Sequence, residues 1–95
     1  MKLIDIKPST NPEKKYDAHF LTDSGRNKTV RFGAAGMSDY TKHRDEERKE
    51  RYLARHKANE NWNKPDTPGA LSRYVLWNKT TLVDSIQDYK RRFNL

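Results

Sequence analysis

The chain contains no cysteine. That excludes disulfides and thiolate metal sites together, and it leaves the redox compartment open. No apolar run reaches the roughly 18 residues that a membrane-crossing helix needs. Met1-Lys2-Leu3-Ile4-Asp5 breaks off too early for a secretory signal peptide, so no membrane insertion is expected and no targeting address is visible. Glycine and proline number four each. The one glycine-rich stretch, Gly33-Ala34-Ala35-Gly36, lacks the lysine that would follow a phosphate-cradling loop, and reads instead as a joint between a strand and a helix. Apolar residues are scarce as well, at 33% against 35% charged, with a mean hydropathy of −1.22. A chain of 95 residues supports one small domain, residues 1–95, whose core must draw on ten aromatic side chains for area. Without a disulfide or a thiolate metal site, the natural source of further stability is a partner.

What the sequence has in surplus is positive charge, 20 Lys and Arg against 13 Asp and Glu, a net +7. Charge of this sign invites a nucleic-acid reading, so its distribution matters. Residues 1–37, 38–57, 58–80 and 81–95 carry +3, +2, +1 and +1. The surplus is spread along the chain, with acids interleaved nearly everywhere. A dedicated phosphate binder would concentrate it.

Period-two alternation dominates the first third. Lys2 to Lys7, ahead of Pro8, suits a short edge strand. From Lys15 to Thr22 the residues Tyr16, Ala18 and Phe20 alternate with Lys15, Asp17 and His19, and Lys28 to Phe32 repeats the pattern with Val30 and Phe32. The intervening Asp23-Ser24-Gly25-Arg26-Asn27 makes the pair a β-hairpin. Helical spacing begins near Ser38 or Asp39, either of which can cap, and predicts one helix over about 39–57 with Asp45/Lys49 and Glu47/Arg51 as i,i+4 ion pairs. Tyr40, Tyr52 and Leu53 are nearly its only apolar anchors. Residues 59–69 read as an irregular connection anchored by Trp62, followed by a short helix over about 69–77. Thr81 and Asp84 resemble a capping box ahead of a last helix with Leu82, Ile86, Tyr89 and Phe93 as its stripe. The expected fold class is therefore α+β: a small N-terminal antiparallel sheet over about 1–33, then two or three helices over about 38–95. Its expected anchors are Phe20, Phe32, Tyr52, Trp62, Trp77, Ile86 and Phe93.

No catalytic constellation emerges. His19, His43 and His56 lack metal-ligand spacing, and no histidine follows His56 to complete an HNH-type nuclease site, so no metal, cofactor, small-molecule substrate or enzymatic activity is expected. The residues able to touch phosphate or a protein partner are basic: Lys42, Arg44, Arg48, Lys49, Arg51, Arg55 and Lys57 on the charged helix, and Lys90, Arg91 and Arg92 at the end of the last one. Asp45, Glu46, Glu47 and Glu50 sit among the first group and would repel a nucleic-acid backbone, while Lys90-Arg91-Arg92 suits a helix C-terminus. Trp62, Tyr74 and Trp77 could stack bases, but their helical spacing makes them anchors first.

Several segments together resemble a family of short basic proteins of unassigned function encoded by large nucleocytoplasmic, or giant, DNA viruses. They are Phe32-Gly33-Ala34-Ala35-Gly36 with Ser38-Asp39-Tyr40-Thr41, Arg51-Tyr52 with Arg55-His56-Lys57, Asn61-Trp62, and Leu76-Trp77-Asn78-Lys79 with Thr81-Leu82. The resemblance runs from Phe32 to Phe93, and Thr80 departs from it where relatives tend to carry proline. It brings no catalytic residues. What it implies is a setting, the virion, or the host cytoplasm or nucleus during assembly. There the chain would serve as a minor capsid or cement-type structural protein with other virion or capsid proteins as partners, or alternatively as a genome-associated nucleic-acid-binding protein.

Overall fold

The computed structural model describes every residue from Met1 to Leu95. Three strands, β1 (Lys2–Pro8), β2 (Lys14–Leu21) and β3 (Asn27–Ala34), form an antiparallel sheet in the order β1-β2-β3. The fold is α+β as expected, with the edge strand read at Lys2–Lys7 present as β1 beside the β2–β3 hairpin. Ala18 pairs with Ile6 on one side and with Val30 on the other, and Tyr16 pairs with Phe32. This register puts Leu3, Ala18, Phe20, Val30 and Phe32 in the core, as strand alternation requires. A bulge between Leu3 and Asp5 leaves Ile4 exposed on the outer strand.

The opposite face of the sheet is polar but not loose. Asp17 is buried there, accepting from the Ser9 hydroxyl at 2.5 Å with the Arg31 guanidinium at 3.5 Å, and the bond from Ser9 holds its carboxyl below the usual carboxylate range. On the outer strand, Asp5 meets His19 Nδ1 at 2.5 Å across the strand pair, and its carboxyl is lowered in the same way by that bond.

The helical part differs from the single helix expected over 39–57. It divides into α1 (Tyr40–His43) and α2 (Glu46–Lys57), broken at Arg44, which takes a left-handed conformation with φ of 53°. The cause is local competition between two caps. Asp39 accepts from Thr41 N–H to start α1, and Asp45 accepts from the N–H groups of Glu47 and Arg48 to start α2. His43 Nδ1 accepts from Asp45 N–H and secures the break. With its carboxylate so engaged, Asp45 does not pair with Lys49, and Glu47 makes no ion pair with Arg51. Lys49 instead lays its ammonium 4.7 Å from the Tyr40 ring centre and donates to Asn78 C=O at 2.7 Å.

The short helix expected at 69–77 is α3 (Pro68–Leu71), capped by Thr67, running into a π-helical turn over Ser72–Leu76. The last helix is α4 (Leu82–Phe93), capped by Thr81 as its sequence indicates. Leu71, Val75 and Leu76 from the middle segment and Tyr89 from α4 close the core over the sheet. The expected anchors divide accordingly. Phe20 and Phe32 are central, whereas Trp77, Ile86 and Phe93 are half-buried and pack against the core from outside. Tyr52 is buried but lies beyond that cluster, and Trp62 stays outside it too, its indole covering the Arg73 guanidinium with the ring centre 5.5 Å away. A polar group that the sequence pattern hid sits beneath α4. Asp88, only 6% exposed, accepts from Asn78 Nδ2 at 2.6 Å, Arg91 at 2.7 Å and Arg92 at 3.3 Å.

Candidate binding groove

Helix α2 approaches the rest of the molecule through side chains, and a row of rings does the joining. Trp77 lies flat on Tyr52, with centroids 4.2 Å apart and planes 4° from parallel. His56 stacks on Tyr52 at 4.2 Å, and His43 meets Trp77 at 5.3 Å. Each of the two large rings is thus contacted by two neighbours. Burial pushes the Tyr52 phenol up to about 12. Tyr74 is similarly occupied, with the guanidinium groups of Arg73 and Arg92 at 4.9 and 4.8 Å and Phe93 edge-on. Arg73 is half-buried and forms no ion pair, and desolvation lowers its pKa.

Beneath α2, between it and the adjoining ends of β2 and β3, runs an open groove of about 920 Å³. Its apolar lining includes Phe32, Tyr52, Leu76, Trp77 and Met37, the last of which is 64% exposed. Two glycines shape the walls. Gly33 has φ of +78°, which favours glycine, and a Cβ there would meet Leu76 Cδ1 at 3.0 Å and Lys15 Cβ at 3.1 Å, so a side chain at this strand end would press the two neighbours aside by a few tenths of an ångström. A Cβ on Gly69 would meet the Glu60 carboxylate at 2.9 Å.

Charge around this groove is sorted. Arg48, Arg51 and Arg55 line it, whereas Glu46, Glu47 and Glu50 do not. At 100° per residue the three arginines fall within about 60° of one another on α2 and the three glutamates within about 100°, their centres roughly 125° apart. Acids interleaved in sequence are therefore separated in space. None of the three arginine side chains makes a hydrogen bond or ion pair, and neither does Lys14 at the groove's other wall. The acids that do face the groove are taken. Asp39 holds Lys15 at 2.5 Å, and Glu60 accepts from Trp62 Nε1 at 2.8 Å while lying 2.7 Å from His56 Nδ1.

Of the ten basic residues singled out from the sequence, the fold brings Arg48, Arg51 and Arg55 together and disperses the rest. Lys42 is exposed on α1, Arg44 occupies the break, Lys49 turns to Asn78 and Tyr40, and Lys57 projects from the far side of α2. Lys90 is exposed on α4, while Arg91 and Arg92 are engaged by Asp88. Sequence reasoning missed Lys14, Met37 and the part played by the two wall glycines, and weighed His56 only as a metal or nuclease residue; all of them join the groove only through long-range folding. No group of three or more His, Asp or Glu side chains stands where it could hold a metal ion. No helix is long and apolar enough to cross a membrane.

The fold and groove define a small α+β protein with one charged, apolar-floored cleft. Comparison with protein families adds that the chain belongs to a family of unknown function (DUF5754), whose model matches residues 4–56. The matched region holds the sheet except for Lys2 and Leu3 at the start of β1, and nearly all of α2, and with them Lys14, Met37 and all three groove arginines. No match was found among curated proteins or among solved structures.

Proposed function

We propose that the protein acts by binding, as a small structural component of a large DNA virus particle, a minor capsid or cement-type protein that joins larger virion proteins. The observation that carries this reading is the arginine face of α2. Three cations stand unpaired beside an apolar floor, a combination that stabilises a fold little and serves contact with another molecule well. Protein surfaces offer both apolar side chains and carboxylates to such a face. The viral setting rests on the sequence resemblance from Phe32 to Phe93, and the net charge of +7 favours acidic neighbours. The virion would be its place of work, with the host cytoplasm or nucleus as the site of assembly.

Genome binding is the second reading, and the same unpaired arginines favour it. Two features weigh against it. Phosphate has no use for the apolar floor, and Trp77, Tyr52 and Tyr74 already have their faces against other side chains, which leaves poor platforms for bases. Quantitative proteomics of purified particles, separated into shell and genome-bearing core, tests the pair. Enrichment in the shell supports the structural role, enrichment in the core supports genome binding, and absence from particles overturns both.

A further inference from the structure

We infer that the groove beside α2 is a docking site for an acidic amphipathic helix of a protein partner. This rests on the reading that the protein acts by binding other proteins, and it specifies what is bound and where. The first argument is periodicity. Arg48, Arg51 and Arg55 rise by about 4.5 and about 6 Å along α2. Carboxylates at positions i, i+4 and i+7 of a helix running antiparallel to α2 rise by about 6 and about 4.5 Å, so the three pairs fall opposite one another. An extended segment places its same-side residues about 6.6 Å apart and drifts out of step.

The second argument is size and lining. Two turns of helix, a cylinder roughly 10 Å across and 10.5 Å long, occupy roughly 800 Å³, against a groove of about 920 Å³. The exposed Met37, with its unbranched and adaptable side chain, lines the same groove as the half-buried Trp77 and is placed to receive the partner's apolar stripe. The third argument is sign. Lys14 and the three arginines are free, while Asp39 and Glu60 are held by Lys15, His56 and Trp62 and do not leave bare negative charge facing the occupant. A second copy of this chain, carrying +7 itself, is a poor occupant.

The test is a selection from a displayed library of random 15-residue peptides on the full chain at 150 mM salt, followed by fluorescence anisotropy with the enriched peptide in synthetic form. Enriched sequences should combine Asp or Glu at i, i+4 and i+7 with aliphatic residues between them. Affinity should fall at least 10-fold in Arg51→Glu/Arg55→Glu and several-fold in Met37→Ser. Lys90→Glu, on α4 and away from the groove, should leave it unchanged. All these side chains are exposed, and a thermal melt verifies that each variant is folded. Several outcomes overturn the inference: no enrichment, enriched peptides lacking either acidic or aliphatic residues, or binding indifferent to the groove variants. So does a 20-base-pair DNA duplex that binds more tightly than the peptide at 150 mM salt and is lost in the same double variant, because nucleic acid then owns the arginines. Particle location is read separately. A groove that takes acidic helices in a protein absent from virions keeps this inference and removes the viral role. A shell protein whose groove variants assemble and bind normally does the reverse.

Discussion

Asn78 and Asp88 form a buried pair, Nδ2 to Oδ2 at 2.6 Å, that joins the turn after the π segment to the underside of α4. Asn78 also donates to Tyr74 C=O at 3.2 Å, and its own C=O accepts from Lys49 on α2. One amide side chain thereby ties α4 to the segment that carries Trp77, and its backbone carries the tie on to α2. A charge buried at such a junction is held by its donors, and removing the Asn78 amide leaves the Asp88 carboxylate with only the two arginine bonds to offset desolvation.

The first prediction concerns acid. The bond from Asn78, helped by Arg91 and Arg92, holds the Asp88 carboxyl at about 2, below its ordinary value of 3.8. A group whose pKa is depressed by folding contributes stability that is complete above the unfolded value and disappears as pH falls through the folded one. Urea midpoints should therefore decline between about pH 4 and pH 2, the Asp88 share being about 2 kcal/mol. Asp88→Asn should be less stable at neutral pH and should show a flatter decline over that window. Identical pH profiles for the two proteins would assign the acid sensitivity to other groups.

The second prediction concerns the attachment of α2. Trp77→Ala removes the ring on which Tyr52 and His43 rest, so α2 should loosen before the core does. Because Trp77 is half-buried, the cost should be about 2 kcal/mol, less than the roughly 3–5 kcal/mol expected for Phe20→Ala at the core's centre. Limited proteolysis should cut first within residues 46–57 of the Trp77 variant. Cleavage beginning in the sheet would show that the stack supports the core rather than the helix.

Much of this architecture is legible in the residues themselves. Alternation gives the strands because one face of the sheet is buried, and Thr81 marks the start of α4 because a hydroxyl there caps a free N–H. The break at Arg44 is not legible, since Asp39 and Asp45 are both good caps and a helical pattern does not reveal which turn each will start. Asp88 is hidden for a related reason. Its burial depends on Asn78, ten positions away, and charge on a helix ordinarily means solvent. The groove is the hardest to foresee. Interleaved acids and bases along α2 read as a mixed face until the helix is wound, and Lys14, Gly33, Met37 and Trp77 meet only when the sheet and the π turn are packed together.

Gly33 and Gly36 offer a paired test of that packing. Both have positive φ, but a Cβ at Gly36 meets nothing within 4 Å, whereas at Gly33 it lies tight against Leu76 and Lys15, at 3.0 and 3.1 Å. Gly36→Ala should cost only the left-handed strain, about 1 kcal/mol. Gly33→Ala adds the work of pressing the Leu76 and Lys15 side chains aside and should cost about 2 kcal/mol. Equal melting temperatures for the two variants would mean that the Leu76 and Lys15 side chains yield to the added methyl without cost.

The break between α1 and α2 gives the last prediction. Arg44 holds a left-handed conformation that costs an L-residue about 1 kcal/mol and glycine almost nothing. Glycine also gains freedom in the unfolded chain, which offsets part of the relief, so Arg44→Gly should be stabilising by about 0.5 kcal/mol or less. In a continuous helix the same change would be destabilising by about 1 kcal/mol. The sign alone separates the two structures. Asp45→Ala supplies the complement: losing the side chain that accepts from Glu47 and Arg48 should cost about 1 kcal/mol. Mid-helix, that substitution would remove a poor helix former and raise stability instead. Chemical denaturation of both variants therefore reads the break twice, with opposite signs. A destabilised Arg44→Gly together with a stabilised Asp45→Ala would mean that residues 40–57 form one helix, and would move the arginine face away from the groove as the register of α2 rotates.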